Sequence, residues 1–419
     1  MTLIAIYLTG QKSKTARMLI IIIIVSVVAA IACLFGMTIC FKWRRSIQKT
    51  QKTTHEPPTG ILVSLVFDLK TLKAATGNFS DANKLGEGGF GPVYKGVLPD
   101  GQKIAVKKLS SRAGQGLTEL KNEVGLVAKL EHRNLARLLG FCIEEEQKMV
   151  VYEYLPNTSL DKFLFDPVKR LLLSWERRYN LIEGITRGLI YLHEESQLRI
   201  IHRDLKASNI LLDEHMSPKI ADFGLAKLFG ADDVTHGHTK RIAGTLGYMP
   251  PEYAINGRFS TKVDVFGFGV LTLEIVTGRR NGSLDEYSGN ASNLISYVWC
   301  HWNKGSPLKV LDPTLERYQS HQVIRCIHIA LLCVQQDPSK RPSMSTVGLM
   351  LSSSSMMVPP PSTPAFLSGH NETSGTSNTH FRDHNGSSVS KKKRPRQNMD
   401  HQRVLYSVNE VTVTDVDPR

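Results

Sequence analysis

Between Leu19 and Phe41 the chain carries no charged residue. About 20 helical residues cover the ~30 Å hydrocarbon layer of a bilayer, so this run is long enough to span one. A buried core helix is the alternative, but a globular helix rarely stays apolar on all faces for so long. A secretory signal has a shorter apolar region followed by a small-residue cleavage site, and this run is too long for that. The expectation is a single transmembrane helix over residues 19–41, behind a short extracytosolic N-terminus of residues 1–18. Lys12, Lys14 and Arg17 precede the run, and Lys42, Arg44, Arg45, Lys49 and Lys52 follow it. The excess on the second side favours a cytosolic location for everything downstream.

The rest of the chain divides by composition. Residues 42–66 are polar, contain Pro57 and Pro58, and read as a juxtamembrane linker. Residues 67–351 alternate strand-like runs (Pro92–Gly96, Lys103–Lys107, Met149–Tyr154) with helix-like runs (Leu117–Leu130, Tyr179–Leu192, Lys262–Thr277). In the second helix-like run, Leu181, Ile185, Leu189 and Leu192 recur at helical spacing and mark a buried face. Residues 352–419 are rich in Ser, Pro, Asn and Thr and read as a disordered tail. The formal net charge of +14 is partly local, in the flank after the apolar run and at Lys391, Lys392, Lys393, Arg394 and Arg396. Solvated flanks explain it better than a nucleic-acid groove, so no nucleic-acid partner is expected. A nuclear role for the basic run sits badly with an upstream membrane span. The six cysteines form no C-x-x-C pair and no disulfide framework, which fits a reducing compartment.

Gly86, Gly88 and Gly91 form G-x-G-x-x-G. Dinucleotide-binding folds use the same glycines, but there they open a helix. Here a strand and then Pro99-Asp100-Gly101 follow, which makes a hairpin. A glycine-rich hairpin can lie over phosphates, because missing Cβ atoms let backbone N–H groups come close. The next strand carries Ala105-Val106-Lys107, and a lysine there can reach the α- and β-phosphates of a nucleotide. Holding it needs an acid. Glu119 and Glu123 are on offer in the following helix-like run, and Glu123 is the better choice. A surface Lys and a surface Glu are the bland alternative for that pair taken alone.

His202-Arg203-Asp204-Leu205-Lys206-Ala207-Ser208-Asn209 comes next, and then Asp222-Phe223-Gly224. In this order and spacing the series resembles the protein-kinase signature. Phosphoryl transfer gathers negative charge on the γ-phosphate. Mg²⁺, or Mn²⁺ in its place, would neutralise it and prefers oxygen ligands, which Asp222 and Asn209 would supply. Asp204 would accept the hydroxyl proton, and Lys206 would meet the transferred phosphate, a placement that favours Ser/Thr over Tyr substrates. Asp264 would tie down the catalytic-loop backbone, and Arg341 would pair with Glu252. Arg203 beside Asp204 invites a phosphate on the activation segment, where Thr235, Thr239 and Thr245 are available.

The text around these motifs is similar to plant receptor-like kinases, most closely the cysteine-rich receptor-like kinase group. It includes Phe67-Asp68-Leu69-Lys70-Thr71-Leu72, Asn78-Phe79-Ser80, Gly86 to Gly96, Ser159 to Asp166, Gly247 to Val270 and the tail end Ser407–Arg419. The resemblance implies an α+β bilobal kinase fold, with an N-lobe over about 67–154 and a C-lobe over about 155–351, behind a single transmembrane helix. It implies an ATP site built from Leu85, Gly86, Glu87, Gly88, Gly89, Phe90, Gly91, Val93, Ala105 and Lys107. Tyr152 would be the gatekeeper and Glu153, Tyr154 and Leu155 the hinge. Ala105 and Leu211 would sandwich the base, and Asp161 would lie near the ribose. The implied protein is single-pass, in the plasma membrane, with protein substrates and other receptor kinases or co-receptors as partners.

This sequence departs from that pattern in three ways. Few residues precede the apolar run, so the ligand-sensing ectodomain is expected to be lacking. Pro250 stands in Pro250-Pro251-Glu252 where Ala is usual, and Gly267 stands where Ser is usual. Neither change touches a catalytic group, although a mid-helix glycine costs up to ~1 kcal/mol. The alternative function is a pseudokinase that scaffolds a receptor complex. It would be favoured by loss of Lys107, Asp204 or Asp222, all of which are present.

Overall fold

A computed structural model describes residues 65–88, 91–109, 120–144, 146–228, 237–239, 242–282, 293–353 and 355–367. The apolar run at 19–41, the linker up to residue 64, Gly89, Phe90, Glu119, Thr235 and the tail beyond 367 lie outside them. Among the described residues no helix is long and apolar enough to cross a membrane.

Helix α1 (Leu69–Ala75) starts where the Asp68 carboxylate accepts from the Thr71 backbone N–H at 2.7 Å. It buries Leu69 and Leu72 on one face of a five-stranded antiparallel sheet. Its strands are β1 (Lys84–Gly88), β2 (Gly91–Val97), β3 (Lys103–Lys108), β4 (Leu138–Glu144) and β5 (Gln147–Glu153), in the order β1-β2-β3-β5-β4. Alternation along β3 decides what each face does. Ile104 and Val106 are fully buried in the cluster with Leu69, Leu72, Cys142, Met149 and Val151. Burying each such side chain is worth ~1.5–3 kcal/mol. Ala105 and Lys107 point the other way.

Between β3 and β4 the expected helix Leu117–Leu130 is described only from Leu120, and Glu123–Val127 is wound as a π-helix. Such a widened turn is frequent at functional sites. Here it accompanies a fully buried Glu123.

The second lobe begins with a short helix α2 (Asp161–Leu164) and is mainly helical. Helix α3 (Trp175–Ile190), capped by Ser174, buries Leu181, Ile185 and Leu189, and Leu192 is buried in the π-helical turn that follows. Hairpin strands β7 (Ile210–Leu212) and β8 (Pro218–Ile220) follow the short β6 (Ile200–Ile201). Strands β9 (Lys227–Leu228), β10 (Gly237–His238) and β11 (Arg258–Phe259) form two further small pairs: β6 with β9, and β10 with β11.

Helix α4 (Pro251–Asn256) has Pro250 extended at its N-cap (ψ 157°), the conformation a residue before proline prefers, so the Pro-Pro sequence fits its place. Helix α5 (Thr261–Thr277) is buried on nearly all sides and forms the lobe's centre. Gly267 faces the catalytic loop: a Cβ there would come to 3.2 Å from the Leu205 carbonyl oxygen. The helix therefore lies against that loop more closely than a side chain comfortably allows. Helices α6 (Leu294–Asn303), α7 (Ser320–Cys333) and α8 (Met344–Ser352) complete the lobe.

The packed chain runs past the boundary expected at 351. Ala365 is fully buried, and Pro364 bridges Gln335. The Ser-, Pro-, Asn- and Thr-rich composition reads as tail from residue 352, but Pro364 and Ala365 lie on the helical lobe.

Candidate active site

Three charges meet in the cleft between the lobes. The Lys107 ammonium lies 2.7 Å from Glu123 Oε1 and 2.8 Å from Asp222 Oδ1. Burial by itself would lower the Lys107 pKa, but the two carboxylates outweigh it and raise it. Burial likewise pushes Asp222 up, and Lys107, helped by Lys206 and His202, brings it below the usual range. Lys107 and Asp222 are thus each held in the charged form by the other. The Tyr152 hydroxyl donates to Glu123 Oε2 at 2.6 Å, which fixes the second oxygen. Asp222 sits in the left-handed region (φ 68°, ψ 71°), a conformation uncommon outside Gly, Asn and Asp that recurs at active sites.

The catalytic-loop residues form a second cluster. Asp204 Oδ1 accepts from the Thr245 hydroxyl at 2.6 Å, and Oδ2 lies 3.1 Å from the Lys206 ammonium. Lys206 also donates to the Thr245 hydroxyl oxygen at 2.8 Å. The Asn209 amide nitrogen donates to the Asp204 carbonyl (2.8 Å) and to its Oδ2 (3.1 Å). That leaves the Asn209 carbonyl oxygen as the atom able to take a cation. Behind the loop, Asp264 accepts from the His202 and Arg203 backbone N–H groups, each at 2.8 Å, and contacts His193 Nε2 at 2.9 Å. Burial would raise the Asp264 pKa, but the His193 contact and the backbone donors hold it below the usual value. Arg341 clasps Glu252 with two bonds of 2.6 and 3.0 Å.

The residues expected to hold the nucleotide differ in exposure. Ala105 and Leu211 are both half-buried although their chain neighbours Ile104, Val106, Ile210 and Leu212 are fully buried. Each thus leaves an apolar side open. Strand β1, with Leu85, Gly86, Glu87 and Gly88, is exposed at every position. Glu153 turns elsewhere. Its Oε1 accepts from the Arg137 backbone N–H and from Lys219, both at 2.9 Å, so only its backbone is available to the cleft. Asp161 accepts from the Ser159 hydroxyl.

One buried acid was not anticipated. Glu274 of α5 accepts from the Tyr248 hydroxyl at 2.7 and 2.8 Å and from the Asn281 backbone N–H at 2.9 Å. Burial pushes its pKa up to about 7, against the pull of those donors. A carboxylate in the otherwise uncharged run from Val265 to Thr277 was the available signal.

The sequence pattern of the family described as "Protein tyrosine and serine/threonine kinase" matches residues 79–351. The chain belongs to this protein kinase family. It is 53% identical to cysteine-rich receptor-like protein kinase 11 of Arabidopsis thaliana over 361 residues, 85% of this chain and 54% of the relative. It is 58% identical to cysteine-rich receptor-like protein kinase 21 of the same plant over 305 residues, 73% of this chain and 44% of that relative. The chain spans about half the length of the curated relatives it matches. The two lobes described above are those of the kinase fold.

Proposed function

We propose that this chain is a membrane-anchored Ser/Thr protein kinase that transfers the γ-phosphate of ATP to protein hydroxyls. The observation that carries the reading is the pair of charge clusters in one cleft: Lys107 with Glu123 and Asp222, and Asp204 with Lys206, Asn209 and Thr245. Lys107, steadied by Glu123, holds the α- and β-phosphates. The base lies between Ala105 and Leu211, against the backbone of the hinge Glu153, Tyr154 and Leu155 beneath Tyr152, with Asp161 at the ribose. The glycine-rich strands from Leu85 to Val93 cover the phosphates.

Asp204 orients the attacking hydroxyl and takes its proton as the oxygen–phosphorus bond forms and ADP departs. Lys206 balances the charge on the transferred group. Asp222 and Asn209 fit a hard divalent ion. Among the described residues no cluster of three or more His, Cys, Asp or Glu could enclose one, so phosphate oxygens would complete the shell, as Mg²⁺ prefers. Bound there, Mg²⁺ or Mn²⁺ would neutralise the phosphates.

Ser/Thr preference is supported by Lys206, which reaches both Asp204 and Thr245. Anchoring is supported by the apolar run at residues 19–41 and by the receptor-like kinase relatives. The proposed layout is the span (19–41) after residues 1–18, a linker (42–66), the kinase domain (67–351, with its packed extension to 367) and the tail. The kinase domain faces the cytosol at the plasma membrane, with other receptor kinases as partners.

Full-length protein in detergent, given radiolabelled ATP, Mg²⁺ and a protein substrate, should label serine and threonine but not tyrosine, whereas Asp204→Asn should not label at all. Equal labelling by both proteins, or by neither, would leave the scaffold reading standing. For the topology, protease added outside sealed plasma-membrane vesicles of cytosol-inside orientation should spare the kinase domain. Digestion there would reverse the orientation.

A further inference from the structure

The cleft face of the sheet carries a cation that catalysis does not use. Antiparallel partners project to the same face. The register pairs Lys107 with Val93 and Val150, and Ala105 with Lys95 and Tyr152. Lys95 of β2 therefore stands on the cleft side, beside Ala105. Among the described residues no carboxylate pairs its ammonium, which instead sits 4.9 Å from the centre of the Tyr154 ring. A cation within ~6 Å of an aromatic face is attracted by the ring quadrupole. Tyr154 follows the end of β5 in the connection between the lobes.

Strands β2 and β5 are not neighbours, since β3 runs between them. The lysine stem thus crosses the central strand at Ala105, where a longer side chain would stand in its path. Strand β2 is paired with β3 from Val93 to Val97, but its hairpin partner β1 is weakly held. Among the described residues strand β1 is the sheet's edge, pairs only with β2, and is exposed at every position.

We infer that Lys95 and Tyr154 form a clasp across the mouth of the nucleotide cleft, which ties the β1–β2 hairpin to the interlobe connection and makes Lys95 a positioning residue for bound nucleotide. The inference rests on reading the cleft as an ATP site. The clasp keeps the hairpin down over the phosphates and slows nucleotide departure, and it leaves the chemical step alone.

The test uses full-length protein in detergent and three readouts: KM for ATP with kcat, the dissociation rate of a fluorescently labelled ADP, and the thermal midpoint without nucleotide. Lys95→Met should raise both KM and the ADP dissociation rate about threefold, the scale of an exposed cation–ring contact. Its kcat should stay within about twofold of wild type and its thermal midpoint unchanged. Lys95→Arg, which keeps a cation over the ring, should restore both constants. Tyr154→Leu should raise them as Lys95→Met does, and the double variant should be no worse than the worse single. Unchanged constants in Lys95→Met, failure of Lys95→Arg to restore them, or multiplying effects in the double variant would each overturn the clasp. Failure of the wild type to bind labelled ADP would overturn the ATP-site reading itself. Normal wild-type binding with indifferent variants would sink only the clasp.

Discussion

Two buried cations flank the catalytic loop and are met in opposite ways. Lys107 lies between two carboxylates. Arg203 is equally buried, yet among the described residues no carboxylate pairs it. It donates through Nε to the Tyr253 hydroxyl at 3.1 Å and through Nη1 to the Leu225 carbonyl at 3.2 Å. Its guanidinium carbon lies 5.4 Å from the Tyr253 ring centre and 5.6 Å from that of Phe259. Lys227 stands over Phe259 at 4.9 Å, and burial and the Arg203 charge lower its pKa. The first centre holds one positive and two negative charges and suits a dication. The second holds two positive charges on π faces and suits an anion.

The comparison breaks most visibly at Lys107. Lys107→Met should reduce phosphate transfer by about a hundredfold or more, because it removes a preorganised charge from the phosphates. The protein should remain folded by circular dichroism but melt earlier, since the buried Glu123 and the partly buried Asp222 lose their partner. Glu123→Gln should cost less, about tenfold, because Asp222 still holds the lysine. Equal losses in the two variants would mean that Glu123, not the lysine, organises the centre.

The anion-seeking centre predicts an effect of similar or smaller size. Phosphatase treatment of active protein should slow transfer about tenfold, the worth of one charge-assisted bond from a phosphothreonine to Arg203. Thr239 is the candidate within the described residues. It follows β10, and its N–H donates to the Gly257 carbonyl at 3.0 Å. Thr239→Ala should copy the phosphatase effect, and Arg203→Ala should abolish the sensitivity. Full activity after complete dephosphorylation, checked by mass spectrometry, would make the Arg203 pocket purely structural.

Local pattern made some of this legible and left the rest dark. The spacing of Leu181, Ile185 and Leu189 gave the buried face of α3, because periodicity reports which side of a helix meets the core. The acid for Lys107 was legible as a choice between two residues on one stretch, and the geometry selects Glu123. Asp264 under the catalytic loop and the Arg341–Glu252 clasp follow the motif order. Tertiary distances were not legible. Nothing local says that the Tyr152 hydroxyl reaches Glu123, that Thr245 donates to Asp204, or that Arg203 leans on aromatic rings. The π-helical turn at Glu123 was hidden for the same reason, since apolar spacing does not separate α from π winding over five residues. The partners of the Glu153 side chain, Lys219 and the Arg137 N–H, were equally hidden.

Glu274 extends the comparison to a buried carboxyl with no cation bonded to it among the described residues. Lys107 gains counter-charges and Arg203 awaits one. Glu274 accepts from the Tyr248 hydroxyl and the Asn281 N–H, with Arg280 and Asp161 exerting opposed fields nearby, and answers its burial with a raised pKa. Burial raises its folded pKa to about 7, above the unfolded value near 4.5. Between those values the folded state binds more protons than the unfolded state, so this group's contribution to stability is full below the unfolded pKa and is lost as pH rises through about 7. Glu274→Gln keeps the neutral shape and removes the titration. Between pH ~5.5 and ~7.5 the wild type should therefore lose about 2–4 °C of thermal midpoint relative to Glu274→Gln, with other titrating groups cancelling in the difference. Transfer at pH ~6 should differ little between the two, because Glu274 supports Tyr248 from behind and touches neither cluster of the cleft. Parallel melting curves across that range would mean that the carboxylate is ionised in the fold and that its donors, not its proton, carry it.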